Sequence, residues 1–137
     1  DPAFMKLVED CCCDLVGKDR VKFDYESWST GSSDFGDVTC VMPGVQFFAA
    51  GAIGTGHGID YYVKDPNRMC VNAVKAQLFV ADALLRDDAA AARKIIADYK
   101  PQYPSIKAYL DAINELFLDK DAVQYDEHGN ATVDFQN

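Results

Sequence analysis

Histidine is scarce in this chain: His57 and His128 are the only two among 137 residues, and glutamate is confined to Glu9, Glu26, Glu115 and Glu127. That scarcity limits the chemistry. Metal-assisted amide hydrolysis needs an ion held by about three protein ligands, an open position for water, and a base for the water's proton. Scattered acids and one imidazole at no familiar spacing do not make such a set. Long apolar runs are also missing: no segment approaches the ~20 residues that span a bilayer, and no charged-then-apolar leader opens the chain. Positive charge is in deficit, with 13 Lys and Arg against 22 Asp and Glu, a formal charge of −9 and a pI near 4.5. This balance argues against a phosphate-backbone partner, whose affinity rests largely on Lys and Arg releasing counterions. It equally disfavours an anionic membrane surface.

About half the residues are apolar, enough for a core, and residues 1–137 are expected to form one domain. The chain opens on Asp1 and Pro2 rather than on Met, and a further segment upstream is expected. The cysteine count is odd, and Cys11, Cys12 and Cys13 are consecutive within a helical pattern. Neighbours on a helix point about 100° apart, so the three cannot all pair with Cys40 and Cys70, and no CxxC spacing suggests zinc. Ordinary small apolar residues in a reducing cytoplasm fit this pattern.

The periodicity predicts a first helix. Phe4, Leu7, Val8, Cys11, Cys12 and Leu15 share one face, and Gly17 stands where the helix should stop. Residues 20–25 alternate as a short strand. Ser33 can cap a short helix with Asp34 and Asp37 near its positive end and Pro43 and Gly44 after it. Residues 45–53 form a continuous apolar run, the pattern of a strand covered on both faces. Asp65 and Pro66 open a helix carrying Val71, Val74, Leu78, Ala81 and Leu85 inward, and residues 86–100 continue as a second helical stretch. After Pro101 and Pro104, Ile106, Tyr109, Leu110, Ile113 and Phe117 mark one helical face, and residues 122–135 read as a hairpin turning at 128–130.

The glycine-rich stretch 51–58 fits no nucleotide motif. A dinucleotide fingerprint counted from Gly54 and Gly56 would need glycine at Ile59, and a phosphate loop from Gly51 to Gly56 would need lysine where His57 stands. A serine elbow from Gly31 fails at Phe35. His57 itself admits two readings: a ligand for a first-row divalent ion at a strand end, where glycines let the backbone approach, or a hydrogen-bonded structural residue. Spacing leaves both open. His128 reads as a solvated turn residue.

The segment from Gly31 to Pro66 resembles the late catalytic-domain portion of the metallo-amidohydrolases that include aminoacylases, p-aminobenzoyl-glutamate hydrolase and auxin-conjugate hydrolases, grouped with the carboxypeptidase-type dinuclear metallopeptidases. The likeness is carried by Ser32, Ser33, Asp34, Gly36 and Asp37, by Met42, Pro43 and Gly44, by the apolar run, and by Gly54, Thr55, Gly56 and His57. It extends through the helix from Asp65 and more loosely to the C-terminus. The resemblance implies an α/β fold: the C-terminal portion of a dinuclear-zinc-exopeptidase-like catalytic domain, with a mixed sheet flanked by helices. It implies that His57 is a metal ligand, that Gly54, Thr55 and Gly56 line the substrate side, and that Ser33, Asp34 and Asp37 buttress the site. Two divalent ions (zinc, manganese, cobalt or nickel) and a small amide or peptide substrate are implied for the parent enzyme, which is expected to be a homo-oligomer.

The departure from the family is as informative. Its histidine-cysteine-glycine-histidine-aspartate cluster and paired glutamates, which supply the other ligands and the base, have no counterpart in this sequence. No catalytic residue is therefore expected within the chain, and the missing N-terminal part of the catalytic domain is an expected partner. The competing reading is a non-catalytic acidic binding or scaffold domain in which His57 is structural and the acidic surface meets a basic protein.

Overall fold

The computed structural model describes residues 1–23, 31–117 and 122–133. Glu26, together with Asp24 and Tyr25 of the expected first strand and Asp134 and Phe135 of the expected hairpin, lies outside them. Contacts divide the chain into two compact units, Asp1–Gln102 and Tyr103–Asn137.

In the first unit, helix α1 spans Pro2–Val16. The Asp1 carboxylate accepts from the Phe4 amide at 2.8 Å and Pro2 occupies the first turn, so the exposed amides of the helix start are partly satisfied. Gly17 ends the helix with φ 89°, a conformation that favours glycine, and its N–H donates to the Cys13 carbonyl. The predicted face is the one that packs. Val8 and Cys11 are buried with Val80 and Ala83 of helix α3 (Asn72–Asp98), and Phe4, Leu7, Cys12, Val45, Phe47 and Leu84 close around them.

Helix α3 is interrupted. Arg86 is extended (ψ 163°) and Asp87, Asp88 and Ala89 adopt left-handed backbone, with φ between 54° and 56°. The two helical stretches expected from the sequence are thus separated at this break, which Arg93 spans by an ion pair with Asp88. Ahead of α3, residues Asn67–Val71 form a π-helical turn. The Asp65 carboxylate accepts from the Arg68 amide at 3.0 Å, which is the capping role its position beside Pro66 predicts.

Helix α2 is short, Phe35–Thr39. The Ser33 hydroxyl accepts from the Phe35 amide at 3.2 Å. The end of α2 is anchored to the chain beyond α3: the Tyr99 hydroxyl donates to the Thr39 carbonyl at 2.5 Å, and the Cys40 thiol donates to Gln102 at 3.5 Å.

The expected strands behave differently. Residues 18–20 form a 3₁₀ turn and 21–23 carry no regular structure, so the described part of the 20–25 alternation is not a strand. Within the run 45–53 only β1 (Ala52–Ile53) is paired, antiparallel to β2 (Tyr62–Val63). Over 45–50 burial alternates: Val45, Phe47 and Ala49 are half-buried, whereas Gln46, Phe48 and Ala50 are exposed, Phe48 at 86%. The run is therefore covered on one face rather than two: Val45 and Phe47 pack against the α1–α3 cluster, and the face carrying Phe48 is open.

In the second unit, helix α4 spans Ile106–Asn114, capped by the Ser105 hydroxyl, which accepts from the Ala108 amide at 3.1 Å. Tyr103 and Tyr109 meet edge to face with ring centroids 5.4 Å apart. The predicted hairpin forms from β3 (Val123–Tyr125) and β4 (Ala131–Val133), with Gln124 opposite Thr132. Its turn is built by Asp126, whose carboxylate accepts from the His128 and Asn130 amides and from the Asn130 side chain at 2.8–2.9 Å, while Gly129 takes φ 78°. Among the described residues the strands make two separate two-stranded antiparallel sheets.

The side-chain and backbone bonds from Asn130, with the His128 amide, favour the ionised Asp126 carboxyl and hold it below the ordinary carboxylate range. A depressed carboxylate stabilises the turn fully above the ordinary range, and that contribution is lost as pH falls through the folded value. The amide resonances of His128 and Asn130 are therefore expected to hold their native shifts through mildly acidic pH and to move together only at lower pH. Asp126→Asn should remove that step, and its persistence in the variant would reassign it.

Candidate functional site

The glycine-histidine stretch forms a loop held at both ends. Its base is closed at Gly51, whose carbonyl accepts from both the Lys64 and Asp65 amides at 2.9 Å. Gly51 has φ 140°, and a Cβ there would lie 2.5 Å from the Asp65 carbonyl oxygen and 2.7 Å from the Met69 amide nitrogen. At Gly54, with φ 99°, a Cβ would lie 2.2 Å from the Asp60 carbonyl oxygen. Glycine is therefore required at 51 and 54 by the close approach of backbone. Gly56 differs, with nothing within 4 Å of the same position.

The loop is braced from within by Asp60, a residue that the spacing argument did not single out. Its carboxylate accepts from the Thr55 amide at 3.1 Å and from the Thr55 hydroxyl at 3.3 Å, and the Thr55 carbonyl accepts from the Gly58 amide at 2.7 Å. The signal was an aspartate five residues after Thr55 in a glycine-rich turn, where short carboxylates bond local amides. His57 sits at the exposed tip with φ 63°. Non-glycine residues adopt this left-handed region at a cost of roughly 1–2 kcal/mol, sustained only where the surroundings impose it.

The predicted site residues fall into two groups. Gly54, Thr55, Gly56 and His57 share the Asp60-braced loop, with Thr55 committed to holding it. Ser33, Asp34 and Asp37 lie at the start of α2, all exposed; the N-cap position falls on Asp34, whose side chain makes no capping bond, and Ser33 bonds the Phe35 amide from one residue earlier rather than capping the helix as expected. Among the described residues no hydrogen bond or ion pair joins the groups, and no three His, Cys, Asp or Glu side chains come together as a metal-binding set.

Burial pushes the Cys11 and Cys12 thiols up, away from the ionised form. All five cysteines are free, and among the described residues no helix is long and apolar enough to cross a membrane. No protein-family model, curated protein or solved structure matches the chain.

Proposed function

We propose that the chain is the C-terminal part of the α/β catalytic domain of a metal-dependent amidohydrolase or peptidase, and that His57 supplies one metal ligand. The parent enzyme cleaves the amide of an N-acyl or aminobenzoyl amino acid, or of a small peptide, in the cytoplasm, where free thiols persist. One observation carries this reading: an exposed imidazole stands in left-handed backbone at the tip of a loop closed by Gly51 and Gly54 and braced by Asp60. Strain of this kind collects at sites where a side chain must be aimed.

The described residues by themselves do not fit a metal ion, since they bring no three His, Cys, Asp or Glu donors together at this loop. The chain's contribution is therefore limited to presenting His57 and shaping the loop beside it. The remaining donors and the base belong to the N-terminal part of the parent's catalytic domain.

The test uses the protein as its source cell makes it, with metal content measured by mass spectrometry and hydrolysis followed on N-acyl and aminobenzoyl amino acids. His57→Ala is expected to lose bound metal and roughly 100-fold or more of the hydrolysis, with the fold intact. His57→Gly should show the same loss while unfolding at equal or higher denaturant, gaining up to about 1 kcal/mol from relief of the left-handed backbone. Wild-type metal content and turnover in either variant would sink the ligand assignment.

A further inference from the structure

Residues 45–50 make no backbone hydrogen bond with any described residue. Their burial alternates with the two-residue period of extended chain, so along this strand-like segment a row of peptide N–H and C=O groups is left unpaired by the described residues. Unpaired strand edges are templates for another extended chain. This edge borders a groove of about 690 Å³, lined also by Val8, Cys12 and Leu15 of α1 and by Ala73 and Ala76 of α3.

Charge decides what can enter. Among the described residues, the charged side chains lining the groove are Arg20, Lys22 and Arg68 against the carboxylate of Glu9, the reverse of a chain whose formal charge is −9. None of the three cations forms an ion pair with a described residue, whereas Lys6, Arg86, Arg93, Lys94 and Lys107 all do. A second copy of this chain would set the same three cations against one another and bring two net-acidic bodies together. A nucleic acid would find an apolar floor and a repelling molecule.

We infer that the groove takes an extended acidic segment of a partner polypeptide, which adds as a strand along residues 45–50 while its carboxylates meet Arg20, Lys22 and Arg68. Backbone pairing supplies the unmade hydrogen bonds, apolar side chains cover the α1 side, and the cations select the sign of the partner. The inference rests on the groove alone and does not depend on the metal reading of His57.

The probe is a fluorescent synthetic peptide of alternating valine and threonine with two aspartates at each end, compared by anisotropy with the same peptide flanked by lysines. The acidic peptide is expected to bind at least tenfold more tightly and to slow hydrogen exchange of the 45–50 amides. Combined Arg20→Glu, Lys22→Glu and Arg68→Glu should reverse the preference. The equal charge change at Lys64, Lys75 and Lys100, none of which lines the groove, should leave it in place. Circular dichroism confirms that each variant is folded. Equal binding of the two peptides would overturn the charge selection, and binding without slowed exchange at 45–50 would overturn strand addition. Protection of 45–50 in a self-dimer seen by sedimentation without peptide would overturn the choice of occupant.

Discussion

Val80→Asp is expected to abolish cooperative folding of residues 1–102, at a cost above about 4 kcal/mol. Val80 is 8% exposed and lies in the seam where α1 meets α3, among Val8, Cys11 and Ala83. That cluster offers a carboxylate no hydrogen-bond donor in its side chains beyond a thiol. Few residues are as buried as these, so a loss of this size exceeds what the remaining contacts can offset. The control is Phe48→Asp, at a side chain 86% exposed, which should change stability by no more than about 0.5 kcal/mol. Urea unfolding monitored by near-ultraviolet circular dichroism separates the two. A cooperative transition in Val80→Asp near the wild-type midpoint would mean that the α1–α3 seam does not hold this unit together.

Gly51→Ala carries the second large effect, about 3 kcal/mol or more of destabilisation. The positive φ contributes on the order of 1–2 kcal/mol, and overlap with the Asp65 carbonyl and the Met69 amide adds on the order of 1–3 kcal/mol because backbone cannot swing aside as a side chain would. The damage should begin locally. Lys64 and Asp65 both donate to the Gly51 carbonyl, so their amides should exchange faster in the variant than those of the α1–α3 seam. Gly56→Ala, where a Cβ meets open space, is expected to stay within about 0.5 kcal/mol of wild type. Equal behaviour of the two variants would show that the loop yields at its base and does not hold His57 in one place.

The elements legible in the sequence are those whose causes lie within a few residues. The face of α1 follows from apolar spacing, and its end follows from Gly17. The 123–133 hairpin follows from Asp126 and Gly129, which make the turn from their own local bonds. The break in α3 falls within the stretch Arg86-Asp87-Asp88-Ala89, at the boundary where the second helical stretch was expected to begin. The loop around His57 was legible as glycine-rich, but its bracing by Asp60 depends on a side chain turning back across five residues, which no period reports.

The sequence by itself determined the helices, their caps, the tight turns and the surplus of negative charge, because propensity, capping and charge are properties of short stretches. Tertiary structure decided which apolar residues of α3 are covered: Ala76, Val80, Ala83 and Ile95 are buried, while Val71, Val74, Leu78, Ala81 and Leu85, expected to point inward, are all exposed. It also decided which charges remain unpaired among the described residues. Residues 45–50 have the composition of a strand enclosed on both sides, yet Phe48 stands open and only alternate residues pack, because a strand's burial and its hydrogen bonds are supplied by neighbours distant along the chain or belonging to another one.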